Sequence, residues 1–123
     1  MKSNVTRYQR DNLTTTPYSV RNRDSQLVFF DGQLPDEEAR KMGIRQQTLA
    51  ALEHVSNAAV EAGVEVQNLM RTTVYLTEID QSEAVAQAYD EFFDGQRPSR
   101  TFVGAEELPS NAAVQIEAIG VSD

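Results

Sequence analysis

A chain of 123 residues suits one domain, residues 1–123, and can bury roughly two-thirds of the surface its unfolded form exposes, so it needs no disulfide or structural metal to fold. It has no cysteine, which excludes a thiol nucleophile, a disulfide framework and thiolate zinc sites, and fits a reducing compartment. The net charge of −8 argues against nucleic acid, because binding a phosphate backbone draws on clustered Lys and Arg; Arg7, Arg10, Arg21 and Arg23 are interleaved with acids and read as solvated surface.

No stretch approaches the ~20 apolar residues that span a bilayer. Met1-Lys2-Ser3-Asn4 leads into polar residues with no apolar core like that of a signal peptide. The expectation is a cytoplasmic protein with no membrane partner.

One or two early strands are expected between Val5 and Arg23, with Pro17 confining them to an edge or a bend. Gln26 to Phe30 reads as a buried strand closed by Asp31-Gly32. From Asp36 to Ala62 the pattern is helical: Leu49, Leu52, Val55, Ala59 and Ala62 recur at three- and four-residue steps and form one apolar face. Asp36 is the expected N-cap and Gly63 the left-handed stop, and Gly43 sets the point after which the helix becomes regular. Met70, Thr72, Val74 and Leu76 then alternate with Arg71, Thr73 and Tyr75, as in a strand with two different faces. A second helix follows, with Asp80 and Glu83 at capping-box spacing, a buried stripe of Val85, Ala88, Tyr89 and Phe92, and Gly95 at its end. Ser99–Val103 and Ala112–Val121 are the last strands. This order implies an α+β layer structure with the helices on one sheet face. The other face carries apolar and aromatic residues, so subunits are expected to pack around it.

Elimination narrows the chemistry. The single histidine, His54, lies within the helical run, so a histidine metal cluster or a Ser-His-Asp triad is not expected. There is neither a GxGxxG nor a GxxxxGK[ST] loop. Asp36-Glu37-Glu38 and Glu106-Glu107 read as solvated caps and turns rather than metal ligands. The last two strands stand apart. Arg100 shares a strand face with Phe102, and Glu117 sits within the apolar run Val114-Gln115-Ile116-Glu117-Ala118-Ile119. A carboxylate there needs a partner, and Arg100 on a neighbouring strand is the candidate. Two readings stand: a cross-strand ion pair worth about 0.2–1 kcal/mol, or a site in which the Arg100 fork holds a substrate carboxylate while Glu117 exchanges protons with water and a leaving group.

The sequence also resembles the RidA/YjgF family of enamine/imine deaminases. The matching segments begin at Pro17-Tyr18-Ser19 and include Leu27-Val28-Phe29-Phe30-Asp31-Gly32-Gln33-Leu34-Pro35 and Gln47-Thr48-Leu49-Ala50-Ala51-Leu52-Glu53-His54-Val55. Then come Arg71-Thr72-Thr73-Val74-Tyr75-Leu76, Tyr89-Asp90-Glu91-Phe92-Phe93, Arg97-Pro98-Ser99-Arg100-Thr101 and Ile116-Glu117-Ala118-Ile119. Each segment is short; their order and spacing together are specific. The resemblance implies a chorismate-mutase-like fold, a mixed sheet with two helices on one face, in a homotrimer with sites between subunits and no cofactor. It implies hydrolysis of 2-imino or enamino acids to 2-keto acids and ammonia. Arg100 matches the residue that anchors the carboxylate, Glu117 the one that handles the attacking water or leaving amine, Tyr18 a pocket aromatic, and Gly32 the turn glycine beside the substrate.

The chain departs from that pattern at several positions. Thr16 stands where a glycine usually precedes Pro-Tyr, Asp31 replaces a small hydroxyl residue, Phe102 a small residue and Ala86 a common asparagine, and the connection after Gln33-Leu34-Pro35 is short. Asp31 and Phe102, both expected to line the substrate pocket, motivate an alternative: a specialised catabolic deaminase acting on a larger enamine of the aminomuconate type. A second alternative is a non-catalytic ligand-binding or regulatory trimer. Ribonuclease activity, also ascribed to the family, fits poorly with the acidic charge.

Overall fold

The structure, a computed structural model, describes residues 17–20 and 26–122; the early strand positions before Pro17, Thr16 and the four early arginines lie outside them. The first described strand, β1 (Tyr18–Val20), follows Pro17 and pairs antiparallel with β2 (Leu27–Gln33), Tyr18 opposite Phe30. Among the described strands β1 is at an edge, where a residue without an N–H is tolerated. In β2, Val28 and Phe30 are buried while Leu27 and Phe29 alternate to the other face. The strand does not close at Asp31-Gly32 as expected. It runs on to Gln33 through an irregularity that shifts its register against the last strand between Phe30 and Gln33, and the Asp31 N–H is held by the Pro17 carbonyl at 2.7 Å.

The helical segment divides at Gly43. A single turn, α1 (Glu37–Arg40), is capped by Asp36, whose Oδ1 accepts from the Ala39 N–H at 2.9 Å, so the acidic triplet serves a helix start. The regular helix, α2 (Ile44–Glu61), starts immediately after Gly43. Ala51, Leu52, Val55, Ala58 and Ala59 are its buried stripe, with Leu49 and Ala62 half-buried at its margin. Gly63 at φ +77° turns the chain out of the helix, and the Val64 N–H returns to the Ala59 carbonyl at 2.8 Å. Buried Gln47, which periodicity does not flag, ties α2 to the sheet. Its Oε1 accepts from the Ala113 N–H at 3.0 Å and its Nε2 donates to the Met42 carbonyl at 3.0 Å.

β3 (Leu69–Leu76) buries Thr72, Val74 and Leu76 as the alternation requires, but Met70 is 57% exposed. A register shift between Leu69 and Arg71 puts Leu69, not Met70, into the core. The second long helix, α3 (Ser82–Phe93), lacks the expected capping box. Asp80 lies inside a 3-10 turn, Ile79–Gln81, so Gln81 occupies the N-cap position and makes no side-chain cap bond. The buried stripe is Val85, Ala88, Tyr89 and Phe93; Phe92 is half-buried with its ring edge-on to Phe93 at 5.1 Å. Asp94 and Gly95, both at positive φ, end the helix.

Among the described residues β4 (Ser99–Gly104) and β5 (Val114–Val121) bring the sheet to five strands, in the order β1-β2-β5-β3-β4. β5 starts two residues later than expected, after a turn in which Ser110 and Asn111 have positive φ. Among the described strands only β3 and β4, joined through α3, are parallel; the other neighbours are antiparallel, so the sheet is mixed. The two long helices lie on one face, where Val28, Phe30, Val74, Leu76, Val114, Ile116 and Ala118 join Leu52, Val55, Val85 and Tyr89 in one core. No helix among the described residues is long and apolar enough to cross a membrane.

Candidate functional site

Arg100 lies on the edge strand β4, opposite Thr72 and in parallel register with it, and Phe102 lies opposite Val74. Both side chains therefore belong to the helix-covered side, as the shared strand face predicts. The Arg100 guanidinium sits over two rings, with Cζ 4.8 Å from the Tyr89 centroid and 5.2 Å from that of Phe102. Its Nη1 donates to Asp90 Oδ1 at 2.8 Å, and Arg97 Nε approaches the same oxygen at 3.1 Å. The Arg100 side chain is only 16% exposed, so ring faces and a charge-assisted bond fix its orientation while other guanidinium N–H groups have no acceptor among the described residues.

The base of this arrangement is Tyr89, fully buried, whose hydroxyl bonds Thr72 Oγ1 at 2.6 Å and donates to the Pro98 carbonyl at 3.3 Å. Burial holds the Tyr89 phenol above its ordinary pKa, an effect partly offset by the Thr72 bond and the Arg100 and Arg97 charges. Because the folded value is raised, this contribution to stability is complete below the unfolded value of about 10 and is lost as pH rises through the folded value. Urea unfolding at about pH 9 and about pH 11 is expected to show falling stability, with a shallower fall in Tyr89→Phe. An equal fall in the variant would assign the alkaline loss elsewhere.

Glu117 is elsewhere. It lies on β5 opposite Thr73, whereas Arg100 shares its row with Thr72 and Ala118. Adjacent residues of a strand point to opposite faces, so the two candidate catalytic side chains project from opposite sides of the sheet. Moreover, β3 runs between β4 and β5, which separates them by two strand spacings, about 10 Å. The expected cross-strand Arg100–Glu117 pair does not form within one chain. Arg100 pairs with Asp90 instead, and Glu117 Oε2 accepts from the Tyr75 hydroxyl at 3.3 Å. Ile116 and Ala118, the apolar neighbours in sequence, are buried on the helix side, leaving Glu117 half-buried on the open face. Burial, then the charge and hydrogen bond of Glu117, raise the Tyr75 phenol above its ordinary range, so Tyr75 stays protonated as a donor.

The remaining candidates gather at the far edge. Tyr18 on β1 meets the Phe30 ring edge-on, centroids 6.0 Å apart, and Asp31 on β2 is exposed. Gly32 stands within the strand rather than in a turn, and the Gln115 side chain lies across it: an added Cβ would collide with Gln115 Nε2. Tyr18 and Arg100 thus occupy opposite edge strands. Phe102, expected to narrow a pocket, stacks on Arg100. Nothing in the sequence pattern marks Asp90, Arg97, Tyr75 or Gln115 as parts of the site; Asp90 and Arg97 fall inside matched segments, but spacing alone does not show that they meet. An open hollow lined by Glu107, Leu108, Pro109, Ser110 and Asn111 includes none of these residues.

Comparison with known proteins accords with this architecture. Residues 9–122 match the family model described as Endoribonuclease L-PSP. A RutC family protein of Aquifex aeolicus is 30% identical over 110 residues, covering 85% of this chain and 88% of the relative. TdcF of Escherichia coli K12, provisionally named a reactive intermediate deaminase, is 30% identical over 101 residues, 77% of this chain and 78% of TdcF. The crystal structure of E. coli TdcF with bound serine superposes with a TM-score of 0.75 at 28% identity, covering 89% of this chain and 91% of that one. The fold is chorismate-mutase-like, and the chain belongs to the RidA/YjgF (Endoribonuclease L-PSP) family.

Proposed function

We propose that the protein is a cofactor-independent deaminase that hydrolyses 2-imino and enamino acids to 2-keto acids and ammonia. The observation that carries this reading is the held guanidinium of Arg100, clamped by Tyr89, Phe102 and Asp90 with N–H groups left for a ligand. Such a fork binds a carboxylate bidentately and places the adjacent C=N carbon. Water adds to that carbon, Glu117 takes a proton from the water and returns one to nitrogen, and the carbinolamine collapses to the keto acid and ammonia. The name of TdcF supports this reaction class.

One chain cannot bring the proposed groups to one small substrate, because Arg100, Glu117 and the Tyr18–Gly32 edge lie in three places. Their separation supports a homotrimer with sites between subunits, in which Tyr18, Asp31 and Gly32 of one chain approach Arg100 or Glu117 of another. The half-buried apolar residues of the open face, Leu27, Phe29, Ile119 and Val121, are suitable for that packing.

The test generates 2-imino acids in place with an amino-acid oxidase and catalase and traps the surviving imine with semicarbazide. The unchanged chain is expected to lower the trapped product, and Arg100→Ala and Glu117→Ala are expected to lose most of that effect. If the unchanged chain spares no semicarbazide with small, aromatic or acidic imines yet binds a keto acid through Arg100, the protein is a ligand-binding trimer and the catalytic reading fails. Turnover of a large enamine alone selects the specialised deaminase.

A further inference from the structure

We infer that Arg97 is a second anchor for the ligand carboxylate and that Asp90 is the positioning residue that sets Arg97 beside Arg100. The inference rests on the reading of Arg100 as a carboxylate anchor. Asp90 Oδ1 accepts from Arg100 Nη1 at 2.8 Å and lies 3.1 Å from Arg97 Nε. One oxygen therefore gathers two guanidinium groups that would otherwise repel each other. Two positive charges meet one negative, which leaves the cluster one charge short of neutrality on a chain whose overall charge is −8. A single ligand carboxylate completes the balance.

The geometry leaves room for it. Arg97 engages Asp90 through Nε, so the two terminal nitrogens of its fork have no acceptor among the described residues. Its side chain is 45% exposed, against 16% for Arg100: the inner guanidinium is fixed by rings, the outer one is reachable from solvent. Neighbouring acids do not compete: Glu91, next to Asp90, is held by Arg45 at 2.7 Å, and among the described residues Asp94, the acid nearest Arg97 in sequence, makes no ion pair with either arginine. Pro98, between the two arginines' segments, is buried, and its carbonyl accepts from Tyr89, which ties the Arg97 backbone to the ring beneath Arg100. An isolated surface ion pair contributes little, whereas two converging guanidinium groups around one carboxylate form a charge-assisted site.

Calorimetric or NMR titration with 2-oxobutyrate, a stable keto acid, tests this. Arg97→Gln is expected to raise Kd about tenfold, and Asp90→Asn to raise it about threefold. Lys41→Gln removes the same charge at an exposed site beyond the cluster and serves as the control. The Asp90→Asn effect is expected to shrink in the Arg97→Gln background, because Asp90 then has only Arg100 to position. Turnover kinetics are expected to show the Arg97→Gln change mainly in KM. Arg97→Gln binding as tightly as Lys41→Gln overturns the inference, as does strict additivity of the two changes. Loss of binding in Arg100→Ala without loss in Arg97→Gln leaves the anchor reading standing and removes this one. Unchanged binding in Arg100→Ala removes both.

Discussion

Glutamine in place of Glu117 is expected to lower kcat by about 10²- to 10⁴-fold, the usual contribution of general acid–base catalysis. The substitution keeps the side-chain shape and an oxygen that accepts from the Tyr75 hydroxyl, now 3.3 Å from Oε2, and it falls on the half-buried open face of β5 rather than in the core. Its effect on folding should be small. What it removes is the capacity to take a proton from water and return one to nitrogen. Arg100→Ala acts on a different quantity: it removes a ground-state anchor and is expected to raise KM as well as lower kcat, because positioning and binding are lost together. Semicarbazide competition at several imine concentrations separates the two. Imines hydrolyse unaided, so residual product must be referred to the protein-free rate. A kcat for Glu117→Gln within twofold of the unchanged chain would exclude Glu117 as the proton-transferring group.

The fold was legible where local pattern and tertiary environment agree. The alternation of Thr72, Val74 and Leu76, the stripe of Leu52, Val55 and Ala59, and the punctuation by Gly43, Gly63 and Gly95 all correspond to structure. Departures arise where one residue is gained or lost against a regular period. The irregularity after Leu69 moves Met70 to solvent, and the 3-10 turn before Ser82 takes Asp80 out of a capping position. The site was legible as a set of residue types and hidden as a geometry. Arg100 and Phe102 could be placed on one face because they are two apart on one strand. That Glu117 faces the other way follows from the register, which puts Arg100 and Ala118 in the row of Thr72, and Glu117 opposite Thr73, and register is a property of the whole chain's packing. The contact of Arg100 with Asp90 likewise depends on how α3 settles on the sheet.

Mixing two inactive variants is expected to restore activity. If each site combines Arg100 of one chain with Glu117 of another, Arg100→Ala and Glu117→Ala each inactivate every site in a homotrimer, but for different reasons. In a mixed trimer, one interface can receive intact Arg100 from the Glu117 variant and intact Glu117 from the Arg100 variant. Random assembly from equal amounts gives about three-quarters of the trimers one such interface out of three, or about a quarter of the full site density. The rise is measured against parents that are nearly silent, so it is among the largest changes available for this protein. It requires exchange of subunits, which co-expression of differently tagged chains followed by tandem purification secures. The single-chain geometry makes the prediction sharp: Arg100 and Glu117 project from opposite faces across an intervening strand, so there is no intrachain route by which they could share one small substrate without refolding the sheet. Mixed trimers that stay as inactive as the parents would mean that both residues act from the same chain or that one of them does not act at all. The single-variant kinetics above distinguish these, since a bystander at position 117 would leave kcat intact.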